Sequence, residues 1–107
     1  MWLYWFVENP ADGDNRSYYL DKRYKPVLAF AYAVTTPITA SLTVDFRDDG
    51  VSMLNDLLAI TSKHNLGVIG RFKSDNHIRQ ERVISMKLVA GLGDARSVTV
   101  GLKLEEV

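Results

Sequence analysis

The amino-acid sequence predicts an α+β domain: a mainly antiparallel sheet of about six or seven strands, with one central helix over about residues 50–64 packed on one face. Three observations carry this expectation. Residues 38–47, 83–90 and 97–104 alternate apolar and polar side chains, the period-2 pattern of strands with one buried face. Val51, Leu54, Leu57, Leu58 and Thr61 recur at helical spacing behind Asp48-Asp49-Gly50, which offers a helix cap. Strands group with strands instead of alternating with helices, which favours α+β over α/β.

Residues 2–8 open the chain with Trp2, Tyr4 and Phe6 on one period-2 face and Leu3, Trp5 and Val7 on the other. Both faces are apolar, so this strand should be covered on both sides, by the fold or by a partner. Residues 9–15 are dense in turn formers. Residues 18–23 make a short, poorly periodic strand. In 26–36, Pro26 and the alanines 29, 31 and 33 would suit a helix. The β-branched Val34, Thr35 and Thr36 before Pro37 favour a strand, with Leu28, Phe30, Tyr32 and Val34 on one face and the alanines opposite.

In 38–47 the inward set is Ile38, Ala40, Leu42, Val44 and Phe46. The expected helix turns Ser52, Asn55, Asp56, Ser62 and Lys63 to water, ends on Lys63 and His64, and stops at Asn65 or Gly67. Residues 67–72 follow as a short strand and 73–82 as a polar loop. Residues 83–90 present Ile84, Met86, Leu88 and Ala90 inward, and 97–104 present Val98, Val100, Leu102 and Leu104. The glycine-rich stretch 91–96 should join these two as a hairpin.

A chain of 107 residues is the size of one globular domain, here spanning 1–107. Thirteen basic and thirteen acidic residues cancel, so no global field draws the protein to nucleic acid or membrane. The absence of cysteine excludes disulfides, thiolate zinc sites, iron–sulfur clusters and a cysteine nucleophile. The apolar run 1–7 lacks the basic flank and small-residue cleavage site of a signal peptide. No stretch approaches the ~18 apolar residues of a membrane span, so a cytoplasmic setting is expected.

Motif chemistry is sparse. His64 and His77 have no paired metal-binding spacing. Asp12-Gly13-Asp14-Asn15 starts like a calcium loop, but Ser17 and Arg23 stand where that loop needs glycine and glutamate. The glycines at 67 and 70, and at 91 and 93, lack the lysine of a phosphate loop, and no serine sits in a Gly-x-Ser-x-Gly elbow. No metal and no cofactor are expected.

Three functional readings remain. The first is a non-catalytic protein-binding protein, self-associating as a homodimer, of the small accessory or inhibitor kind. Its interface would be Trp2, Tyr4, Trp5 and Phe6, because large aromatics anchor interfaces. A single helix covers only part of so large a sheet, and the remaining apolar area calls for a second sheet or a partner. The second reading is a single-stranded nucleic-acid or phosphate-ligand binder. It would use Arg16, Lys22, Arg23 and Lys25, interleaved with Tyr18, Tyr19 and Tyr24, together with Arg71, Lys73, Arg79 and Arg82. The third is a small enzyme using Asp45, Asp48, Asp49 and Asp56, where crowded carboxylates raise a pKa. Aspartate is ordinary at turns, and Arg47 stands by as a counter-charge, so a structural role competes with this reading.

Overall fold

A computed structural model describes residues 1–10, 16–38, 41–54, 56–63, 65–69, 72, 78, 81–90 and 94–107. The protein is a β-sandwich of two antiparallel sheets, with no helix among the described residues. The strands are β1 (Trp2–Val7), β2 (Ser17–Leu20), β3 (Tyr24–Thr35), β4 (Leu42–Asp48), β5 (Val51–Ser52), β6 (Leu58–Ile60), β7 (Leu66–Ile69), β8 (Arg82–Ala90) and β9 (Arg96–Glu106). The first sheet has the order β1-β9-β3-β7; the second has β2-β8-β4-β5, with β6 also pairing β4.

The α+β expectation is therefore corrected to all-β, and the error lies in residues 50–64. Asp49 and Gly50 are the two central residues of a hairpin turn that pairs Asp48 with Val51. Their φ values, 48° and 87°, are both positive, as a type I′ turn requires, and Asp-Gly is a preferred pair for that turn. The dipeptide reverses the chain where the sequence pattern suggested a helix start. The apolar residues beyond it are then buried from short extended pieces: Met53, Leu54, Leu58 and Ile60 reach the core, while Val51 and Leu57 are exposed. The proposed cap His64 lies outside the described residues, and Gly67 is a strand residue of β7.

The second correction concerns the expected hairpin of 83–90 with 97–104. β8 pairs with β2 and β4, whereas β9 pairs with β1 and β3, so the chain crosses from one sheet to the other between them. The turn residues 91–93 lie outside the described set, as do 11–15 of the first loop. Residues 26–35 are strand, as the β-branched residues before Pro37 indicated, with a register shift after Pro26, which has no N–H to give the ladder.

The core lies between the sheets. Trp5, Val100, Ala31 and Gly67 form one inward-facing row across the first sheet, from β1 through β9 and β3 to β7. Side-chain size falls along that row from indole to hydrogen, so the space between the sheets is a wedge. At its wide end Trp5 is fully buried against Tyr18 and Phe46, with ring centroids at 5.2 and 5.9 Å. The indole Nε1 donates to the Arg16 carbonyl at 2.9 Å. At the narrow end β6 of the second sheet closes on β3 and β7. A Cβ on Gly67 would lie 2.6 Å from the Ala59 carbonyl oxygen.

The folded chain exposes 6097 Å², close to the ~6000 Å² of a folded monomer of this mass. The second sheet thus supplies the cover that a lone helix would have left missing, and the core closes within one chain. Among the described residues, no helix is long and apolar enough to cross a membrane.

Candidate functional site

Strand alternation sends every second residue of the first sheet outward, away from the core. Register brings these residues into rows. Tyr4, Gly101, Phe30 and Val68 form one, and Phe6, Thr99, Tyr32 and Leu66 the next. Trp2, Lys103 and Leu28 lie in the row before them. Tyr4 is 48% exposed, Phe6 61%, Val34 66%, Leu66 52% and Val68 58%. The face is apolar across all four strands, and Lys103, in the end row, is the one charged residue of these rows.

The rings on this face are organised. Trp2 stacks on Tyr4 with centroids at 5.8 Å, and Phe30 meets both edge-on, at 5.7 and 6.5 Å. Such pairs are worth about 0.5–1.5 kcal/mol beyond area burial. Phe30 lies across Gly101, where any Cβ would run into its ring, so the glycine makes room for the aromatic. These side chains pack on one another as one platform.

The second sheet differs. Its outer face carries Ser17, Ser85 and Arg47 in one row and Lys87 beside Asp45 in the next. This outer face mixes charged and hydroxyl groups with the exposed Tyr19 and Val83, whereas on the first sheet aromatic and aliphatic side chains adjoin across all four strands.

The four residues singled out at the start of the chain are divided by strand alternation. Trp2, Tyr4 and Phe6 belong to the outer platform, while Trp5 is a core residue with no exposed surface. β1 is an edge strand of its sheet, with only one face covered by the fold. Phe30, Tyr32, Val34, Leu66 and Val68 complete the platform and were not among the expected interface residues. The three alanines alternating with large side chains in β3 were the available signal. In a tapered core the small residues face inward, so the bulky face is left outside.

The basic residues do not assemble a free cationic surface among the described positions. Lys22 and Lys25 face Glu106 and Glu105, each at 3.8 Å. Arg82 is held by the β4–β5 turn, its Nη1 donating to Asp49 Oδ2 at 2.8 Å with Asp48 at 3.9 Å. Arg16 and Arg23 are exposed, and their main-chain carbonyls accept from the Trp5 indole and the Val107 amide. Arg71, Lys73 and Arg79 lie outside the described residues.

The carboxylates around the hairpin are structural in geometry. Asp45, only 4% exposed, accepts from Ser52 Oγ at 2.5 Å and from Arg47 Nε at 3.1 Å. Asp56 is exposed and apart from them. Asp49 accepts from the Val83 amide at 2.7 Å and from Arg82, fastening the turn to the start of β8. The Val83 amide foremost, and then Arg82, holds the Asp49 carboxyl below its ordinary 3.8. A depressed carboxylate adds stability that is full above its unfolded value and is lost as pH falls through the folded one. Asp49→Asn should therefore lower stability at neutral pH, where the carboxylate's contribution is full, and flatten the further loss below about pH 4; acid titration of the unfolding midpoint checks this.

Among the described residues no group of three or more histidine, aspartate or glutamate side chains is placed to hold a metal; His64 and His77 lie outside that set. No protein-family model matches the chain, and no curated protein matches it in sequence, so the outer platform stands on its own geometry.

Proposed function

We propose that the protein is a non-catalytic binding protein that works by protein–protein contact through the outer face of its first sheet. The observation that carries this is the packed ring cluster of Trp2, Tyr4 and Phe30, set among the exposed Phe6, Tyr32, Val34, Leu66 and Val68 on one outer face. Exposed apolar residues adjoin across all four strands of this face, and contiguous exposed apolar patches mark interaction sites. Tyrosine, tryptophan and phenylalanine are the residues enriched at the centres of interfaces. The proposed setting is the cytoplasm.

Nucleic-acid binding has weaker support. Exposed rings can stack on bases, but a strand of phosphates needs a cationic track beside them. Lys22, Lys25 and Arg82 are each paired with a carboxylate. The carboxylate reading is weaker still, because Asp45 and Asp49 are occupied by fold-forming bonds.

Changing Phe6 and Tyr32 together to serine is the test. Both are exposed, so stability should fall by no more than about 1 kcal/mol. Association, with itself or with an identified partner, should weaken at least tenfold by sedimentation velocity or calorimetry. A double variant that keeps every association of the unaltered protein would refute this reading.

A further inference from the structure

Resting on that binding-face reading, we infer that the occupant of the platform is a second copy of this chain, packed face to face with its β9 antiparallel to β9 of the first. Size is the first argument. A standard interface buries ~800 Å² per partner, a breadth suited to a surface that spans all four strands of a sheet. A short peptide would leave most of it wet. A second, equally apolar copy covers it completely, as in homodimers, whose interfaces are the more apolar class.

The sheet edges argue the same way. The Tyr18 hydroxyl donates to the Tyr4 carbonyl at 2.6 Å, occupying the outer edge of β1. The other edge, β7, is four residues long and has β6 packed close to it. Neither edge is a long open template for strand addition. The face is what remains.

Charge then selects the orientation. Lys103 lies at one end of the platform, beside Trp2 and Leu28. Its neighbours Lys25 and Glu105 pair with each other. At the other end, Glu8 follows Phe6 on the same face, and its Oε1 accepts from the Ser97 hydroxyl at 2.9 Å, which draws the carboxylate toward β9. Arg96, at that end, turns to its own chain, donating to the Ala95 carbonyl. Six residues of strand separate the Lys103 row from Glu8, roughly 20 Å.

A two-fold axis lying in the interface can run along the strands or across them. Along the strands it would set Lys103 against Lys103. Across them, each Lys103 meets the other copy's Glu8, and the contact is self-complementary as an isologous dimer requires. The axis then falls between the Gly101 and Thr99 rows. It sets the two β9 strands opposite each other, with Phe30 laid over Gly101 and the aromatic side chains of β1 and β3 forming the contact.

Charge reversal tests this. Lys103→Glu alone and Glu8→Lys alone each place like charges at both ends of the dimer, and each should weaken it about tenfold or more by sedimentation equilibrium. An equimolar mixture of the two variants should recover near-wild-type association as a heterodimer, because every end-to-end pair is then opposite in sign. That recovery also shows that both variants fold. An unaltered protein that stays monomeric at high concentration would overturn the second-copy inference. The binding-face reading would survive it, provided Phe6→Ser with Tyr32→Ser still loses a heterologous partner. A dimer whose mixture shows no recovery would overturn the antiparallel arrangement. Salt-sensitive binding to a single-stranded oligonucleotide that is lost with Lys103→Glu would reassign the face to nucleic acid.

Discussion

Trp5→Ala should destabilise the protein by about 3–5 kcal/mol, the range for removing a large aromatic from a packed core. A small domain has only about 5–15 kcal/mol in total, so the variant should unfold at much lower urea or fail to accumulate folded. The cause is specific. The indole fills the wide end of the inter-sheet wedge, touches rings from β2 and β4 of the opposite sheet, and satisfies the Arg16 carbonyl. Removing it opens a cavity that the two sheets cannot collapse, because the neighbouring rows Leu3–Leu102–Ala29 and Val7–Val98–Ala33 still hold them apart. Trp5→Phe should cost less, since the ring is largely kept and only the indole N–H bond is lost. A Trp5→Ala protein with the wild-type urea midpoint would show that the first strand is not part of the core.

Gly67→Ala should also destabilise, by about 1–3 kcal/mol, although adding a methyl within a strand usually helps. Here the methyl has nowhere to go. Its nearest neighbour would be the Ala59 backbone oxygen at 2.6 Å, with Leu58 Cδ1 at 3.2 Å, and a backbone atom cannot rotate away. Either β7 or β6 must move, and β7 is joined to the rest of its sheet only through β3. Equilibrium unfolding in urea, with the slope checked for two-state behaviour, measures the difference. Equal stability of Gly67→Ala and the unaltered protein would mean that the sheets do not converge as described. Trp5 and Gly67 are the two ends of one row, and the two variants probe the taper from opposite sides.

That taper explains why the binding platform was only partly legible in the sequence. Alternation correctly put Leu28, Phe30, Tyr32 and Val34 on one face of β3 and the alanines on the other. Hydrophobicity alone would then send the larger side chains inward. Which face is inside depends on the distance to the opposing sheet, and Ala29, Ala31 and Ala33 are inside because the sheets are close there. The aromatic run at residues 2–6 pointed to an interface, but it mixed two populations. Trp5 belongs to the fold, and Trp2, Tyr4 and Phe6 belong to the platform.

The missed hairpin at Asp49-Gly50 is a different failure. Its signal was local and present, a two-residue turn pair between strand-like segments, but the spacing of Val51, Leu54, Leu57 and Leu58 also satisfies a helix. Short apolar runs fit both periods, and the positive φ that Asp-Gly tolerates decides for the turn.

By itself the sequence determined what local physics can determine. It showed a chain without cysteine and several strands whose inward residues follow from period-2 alternation: Leu42, Val44 and Phe46 in β4, Ile84, Met86 and Leu88 in β8, and Val98, Val100, Leu102 and Leu104 in β9. Only the tertiary structure decided that β8 and β9 belong to different sheets, that β9 lies between the distant β1 and β3, and that a second sheet takes the place expected of a helix. Pairing partners in a sheet are separated by up to the whole length of the chain, and a period-2 pattern is the same whichever strand lies alongside. The face left apolar after those pairings are made is therefore a property of the assembled sandwich, and no segment of the chain carries it alone.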